Sequence, residues 1–217
     1  MCIIMQAAKK ELLKRKEILE AMRNNPSGYF LLSIKGNKKD WIRTLDKDVA
    51  LVFIDRQPND AELLMHFRVP SAGMSGDYRG IHGWDEEGII FCHNRTIYIC
   101  LEPMRATRWI GSDSEFFFKK IFIPMYRALG GDGSAYRDGA FCEPLDSMIK
   151  AICGDWNKMA FVMPDNKILR YGDWEGDDPN REGCHFSNTS YLHPPRKGFF
   201  KWAMNLYDRI RYGKLGG

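Results

Sequence analysis

The sequence contains no run of eighteen apolar residues, so no membrane-spanning helix is expected. It has no Cys-x-x-Cys pair. Its six cysteines, at positions 2, 92, 100, 142, 153 and 184, fall at no zinc-ligand spacing with histidine, so no metal site and no cofactor is expected. There is no Walker loop, no Gly-x-Gly-x-x-Gly after a strand-like run and no Gly-x-Ser-x-Gly elbow. P-loop, dinucleotide-binding and serine-elbow chemistry are thereby set aside. Internal repeats and low-complexity tracts are absent too. Charge of one sign is scarce: 32 Lys and Arg against 28 Asp and Glu leave +4, too little to argue by itself for nucleic acid or a membrane as partner. The opening MCIIMQAAKKELLKRKEILE lacks the apolar core and small-residue cleavage site of a signal peptide. A cytoplasmic location with reduced thiols is the corresponding expectation, and there the triplets Asn94-Arg95-Thr96 and Asn188-Thr189-Ser190 carry no glycan.

What is present fits one ordered globular unit: 217 residues, 44% apolar and 13% aromatic. A short apolar run, Cys2 to Met5, has strand length, and residues 8–23 read as a charged helix with Leu12, Leu13, Leu19 and Met22 on one side. Asn24-Asn25-Pro26-Ser27-Gly28 ends it as a turn. Strands are expected at 29–34 and 62–69; in residues 44–56 Leu45, Val49, Val52 and Phe53 suit a helix while the run VALVFI suits a strand, and helix is the reading taken. Residues 70–85 are loop-like. Two strands, 88–92 and 96–101, are expected around His93-Asn94-Arg95. Ser112 opens a helix to about Leu129, with Asp113 and Glu115 at the positive end of its dipole. A polar loop covers 130–140, a helix 144–154, a hairpin 158–163 with 167–171, and a short strand 184–187. Strands and helices mix without βαβ alternation, which makes an α+β fold the expectation.

Five segments stand in order: Met1-Cys2-Ile3-Ile4; Arg23-Asn24-Asn25-Pro26-Ser27-Gly28; His66 through Gly73; His93-Asn94-Arg95; and Ser112-Asp113-Ser114-Glu115. With these segments the chain resembles the glutaminase domain of class II glutamine amidotransferases, closest to the small stand-alone members often found in bacteriophage genomes. Ala160–Met163 to Tyr171-Gly172 and Phe186–Tyr191 look like the later strands of that group, so the resemblance touches residues 2 to about 191. It implies the four-layer α/β/β/α sandwich of the N-terminal nucleophile hydrolases over residues 1–195. Residues 196–217 would be a basic, aromatic C-terminal helix packed on it.

The residues make chemical sense in those roles. Once Met1 is removed, Cys2 carries both a thiol and an α-amine whose reference pKa is about 8, near enough to neutral to serve as its base. By the resemblance, Arg68 grips the α-carboxylate of glutamine, a bidentate contact suited to a planar guanidinium. Asp113 accepts hydrogen bonds from the substrate's α-amine. Asn94 supplies a side-chain donor to the oxyanion hole, and the next backbone N–H supplies a second donor. Ser71 and His82 fall in substrate-binding loops. The chain departs from the family pattern at Arg95, where the family has Gly; a Gly there serves a positive φ or a close approach of substrate. Pro70-Ser71-Ala72 and His82-Gly83 are milder departures. For Arg68 the alternative is a structural acid such as Glu115, and for Asp113 plain stabilisation of a helix start. His66 and His93 read as satisfied core or loop histidines.

The implied substrate is glutamine or a related small amide, with a separate ammonia-accepting partner protein or simple hydrolysis. Arg95 favours a second reading, a weak or inactive member that serves as a binding protein, for example against a host factor. The tail interleaves Arg196, Lys197, Lys201, Arg209, Arg211 and Lys214 with Phe199, Phe200, Trp202 and Tyr207. That pattern suits nucleic acid, but an amphipathic helix docked on the core explains it more simply. The acidic loop Asp173, Glu175, Asp177, Asp178 matches no metal loop and reads as a solvated turn.

Overall fold

The computed structural model describes residues 2–69, 77–154, 156–174, 182–189 and 191–192. Ser71 and the expected C-terminal helix lie outside the described residues.

The chain is a mixture of helices and antiparallel strands. Strands β1 (Ile3–Ala7), β2 (Tyr29–Lys35), β3 (Lys38–Thr44), β4 (Glu62–Phe67) and β11 (Cys184–Phe186) form one sheet in the order β11-β1-β4-β2-β3. Strands β5 (Trp84–Glu86), β6 (Ile89–Asn94), β9 (Lys158–Val162) and β10 (Ile168–Tyr171) form a second, ordered β10-β9-β6-β5. A two-residue hairpin, β7 (Tyr136–Arg137) with β8 (Ala140–Phe141), stands apart from both.

The central strands β1, β2, β4, β6 and β9 are apolar on both faces, and their two faces go to different cores. Because side chains alternate along a strand, Ile3, Met5, Leu63, Met65 and Phe67 pack with Ile18, Ala21 and Met22 of helix α1 (Arg15–Asn24) and Ala50, Phe53 and Ile54 of α2 (Lys47–Arg56). The residues between them, Ile4, Leu64, Phe30 and Leu32, cluster with Ile90, Cys92, Ala160 and Val162 of the other sheet. The remaining face of that sheet, with Ile89, Phe91, Met159 and Phe161, packs with helical residues Phe117, Phe118, Phe122, Leu145 and Ile149. Phe117 to Phe122 are a π-helical stretch that joins α4 (Asp113–Phe116) to α5 (Ile123–Ala128); Leu145 and Ile149 belong to α6 (Glu143–Cys153).

The structure departs from the sequence reading in several elements. Thr96–Leu101 is no strand; it forms a 3-10 turn, Tyr98–Cys100, followed by helix α3 (Leu101–Ala106). The reason is topological: β6 already pairs with β5 on one side and β9 on the other, so a returning strand has no edge to join. The first helix is split. Lys10 and Glu11 donate to the carbonyls of Ala61 and Asn59, which draws residues 10–12 into a separate 3-10 turn before α1 begins. β3 was not expected, because Lys38, Lys39, Asp40 and Arg43 obscure its alternation; charges of this kind suit a sheet edge.

Candidate functional site

The inner-face alternation continues past the strand ends. A step of two leads from Ile4 to Cys2, from Leu64 through His66 to Arg68, and from Cys92 to Asn94. β1 runs antiparallel to β4, so the start of one meets the end of the other, Ile3 opposite Phe67. The inner faces of the two sheets therefore deliver a thiol and a guanidinium from one and an amide from the other where the apolar inter-sheet core stops.

Cys2 is half-buried and held at three points. Val69 N–H donates to its sulfur at 3.4 Å, and the thiol faces the Val69 carbonyl at 3.6 Å. Asn188 Nδ2 donates to the Cys2 carbonyl at 2.7 Å. Burial pushes the thiol pKa up; the Val69 N–H and the Arg68 charge pull it down, and Asp113 adds to the rise. Cys2 at rest is thus a neutral thiol.

Asn94 ends β6 and is almost fully buried. Its Nδ2 donates to Ser187 Oγ at 2.8 Å, and the same oxygen accepts Ile4 N–H at 2.8 Å, which couples the end of β6 to the start of β1. Arg95 has φ +98°, the conformation for which a glycine would be used. Its side chain is exposed, with the guanidinium carbon 5.2 Å from the centre of the Trp156 ring.

Arg68 is 3% exposed, and burial lowers its pKa. Its Nη1 reaches the carbonyls of Asp77 at 3.3 Å and Ser27 at 3.5 Å. Gly80 makes room for the guanidinium: a Cβ there would stand 2.5 Å from its Cζ. Glu115, the structural acid weighed for Arg68, instead pairs with Lys119 at 2.8 Å. Asp113 begins α4, capped by the Ser112 hydroxyl, and its Oδ2 accepts Ile97 N–H at 2.6 Å.

Three histidines lie beneath this edge. His82 stacks face to face on His66, ring centres 3.9 Å apart, and its Nδ1 accepts His93 N–H at 3.1 Å. The expectation of a satisfied histidine holds for His93. Its Nε2 meets Asn157 Oδ1 at 3.0 Å and its Nδ1 meets Ser114 Oγ at 2.8 Å. Because Asn157 Nδ2 is committed to the Ile152 carbonyl, Nε2 carries the proton and Nδ1 accepts. His66 differs: both ring nitrogens are buried without a hydrogen bond of normal geometry, the nearest polar approach being the His93 backbone. Burial, then the neighbouring His93 and Arg68, lower its pKa to about 3. His82 and His93 are lowered as well, by burial first.

Ser187, Asn188 and Trp156 bear on this region and carried no role in the sequence reading. Ser187 and Asn188 act through β11, whose pairing with β1 spans most of the chain; no short-range pattern announces it. No three His, Cys, Asp or Glu side chains converge as a metal site among the described residues, and no helix among them is long and apolar enough to cross a membrane. No protein-family model and no curated protein matches this chain.

Proposed function

We propose that this protein is an amidohydrolase of the glutamine amidotransferase type, with Cys2 as nucleophile. The observation that carries the reading is that Cys2 and Arg68, on the inner face of one sheet, and Asn94, at the end of β6 in the facing sheet and linked through Ser187 to Ile4, lie at the same margin of the inter-sheet core, with Asp113 close enough to Cys2 to bias its thiol. The matching architecture would be the four-layer α/β/β/α sandwich. Its support is the three apolar clusters, one between the sheets and one between each sheet and its helices.

In the mechanism, Met1 removal leaves the Cys2 α-amine free. The amine takes the thiol proton, and the sulfur attacks the side-chain amide carbon of glutamine. The carbonyl π electrons move onto oxygen, where the Asn94 amide and the Arg95 N–H would hold the oxyanion. The protonated amine then gives its proton to the departing nitrogen. Ammonia leaves, and water or an amine resolves the thioester. Arg68 and Asp113 would read the α-carboxylate and α-amine of the substrate, and Ser71 and His82 remain as substrate-side positions from the resemblance. Ammonia transfer to a partner protein belongs to the same proposal, as does a cytoplasmic site of action.

The test is ammonia release from glutamine together with the intact mass of the cellular protein. Slow hydrolysis, a mass lacking Met1 and complete loss in Cys2→Ala are expected. Activity that survives Cys2→Ala would refute the mechanism, as would inactivity in protein shown to begin at Cys2. The binding-protein reading has support of its own: Tyr98, Ile99, Ile110 and Trp156 are each more than half exposed.

A further inference from the structure

Ser187 is 2% exposed and follows β11. Its own N–H donates to the Ile4 carbonyl at 2.9 Å and its Oγ accepts Ile4 N–H at 2.8 Å, so β1 fixes the hydroxyl oxygen. That oxygen stands 2.8 Å from Asn94 Nδ2. A hydroxyl has two lone pairs but a single proton. With Nδ2 toward Ser187, both lone pairs are filled and two groups stay unmet. One is the Ser187 proton. The other is Asn94 Oδ1, which is buried without a partner among the described residues. Leaving a buried polar group unmet costs about 1–3 kcal/mol.

A half-turn of the amide exchanges oxygen and nitrogen with no change of shape. Oδ1 then accepts the Ser187 proton while Oγ still accepts from Ile4. The amide NH₂ is the one unmet group, and it takes the place Oδ1 held. One unmet group is better than two, and this one is a pair of buried donors on the sheet that faces β1, where Cys2 precedes Ile3. We propose that Ser187 is a positioning residue that holds Asn94 with Oδ1 toward itself, so that both Nδ2 protons are offered to a ligand oxygen. On the glutaminase reading, on which this part rests, that oxygen is the one that gains charge when the Cys2 sulfur bonds to the amide carbon.

Neutron diffraction on crystals of the full chain reads the orientation directly. Oδ1 facing Ser187, with the hydroxyl deuteron between them, is expected; Nδ2 facing Ser187 overturns the proposal. Kinetics add a second readout. Since a missing oxyanion donor costs about 10²–10³ in rate, Ser187→Ala, which frees the amide to rotate, should lower kcat by roughly tenfold to a hundredfold with KM changed less than about threefold. Ser187→Thr should recover most of the loss. The rate of Cys2 alkylation by iodoacetamide should stay as in the wild type, which a merely structural role would not allow. A parallel fall in alkylation, or no recovery with Thr, overturns the positioning role. Absence of ammonia release by the wild type, with Oδ1 seen facing Ser187, would sink the glutaminase reading and leave the positioning of Asn94 standing.

Discussion

At the residue scale, Arg95 carries the sharpest question. A non-glycine residue at φ +98° stores about 1–3 kcal/mol, more than the roughly 0.5–1 kcal/mol that an exposed cation–π contact with Trp156 returns. The backbone at this position therefore has a conformation that glycine would adopt without strain. Arg95→Gly keeps the N–H and relieves the strain. We expect melting within a few degrees of the wild type and glutamine hydrolysis at least as fast. A tenfold drop in rate would instead give the guanidinium a part in catalysis or binding. The sequence placed Cys2, Arg68, Asn94 and Asp113 by motif alone. It could not tell that Glu115 turns to Lys119 rather than Arg68, because that choice depends on how α4 lies against the sheet.

Elements differ in how much of their stability is local. The N-cap of α2 is a local matter: Asp46 Oδ1 accepts from Asp48 N–H at 2.7 Å and Val49 N–H at 3.2 Å. Asp46→Ala should cost about 1 kcal/mol in denaturant unfolding. Gly83 is a tertiary matter. It has φ +84°, and a Cβ would stand 2.1 Å from the Phe30 ring of the other sheet. Gly83→Ala must move a fully buried aromatic or the strand entering β5, and should cost more than about 3 kcal/mol. A loss equal to that of Asp46→Ala would show that the contact between the sheets yields easily there. The same division explains which elements were legible in advance. α6 and the β9–β10 hairpin announce themselves in periodicity and turn residues, whereas residues 44–56 suit helix and strand alike, and of the side chains that suggest a helical face Leu45, Val49 and Val52 are exposed while Phe53 is buried. The split of the first helix and the fate of Thr96–Leu101 were decided by partners more than ten residues away.

At the scale of the whole molecule, the histidine stack makes stability depend on pH. His66 has a folded pKa of about 3 against an ordinary 6.5. Below 6.5 the unfolded chain takes up a proton that the folded chain refuses, so the stability present above that pH is lost as pH falls toward 3. Linkage puts the loss from His66 alone at about 2 kcal/mol by pH 5, and His82 and His93 act in the same direction. His93 and Arg68 oppose protonation of His66, and His66, His93, Arg68 and Arg43 oppose that of His82, while Asp113 and Asn157 favour it at His93. His66→Leu removes two unmet nitrogens. We expect it to unfold at higher denaturant than the wild type at pH 7, and by a wider margin at pH 5. A pH dependence as steep as that of the wild type would assign the effect elsewhere.

The sequence by itself determined the α+β mixture, most strand and helix positions, and the set of side chains proposed for catalysis. The elements follow from period-two and period-3.6 patterns, which act over a few neighbours; the catalytic set follows from the motifs that carry the resemblance. Only the tertiary structure decided that Cys2 is tied to Val69 and Asn188, that Ser187 links Asn94 to the start of β1, and that His66 is buried between Ile4 and Phe30 with no hydrogen bond of normal geometry to its ring among the described residues. Each of these depends on strand order and register, in which β1 sits between β4 and β11. That arrangement is set by which apolar faces can be buried together across the whole chain, a condition no local stretch of sequence carries.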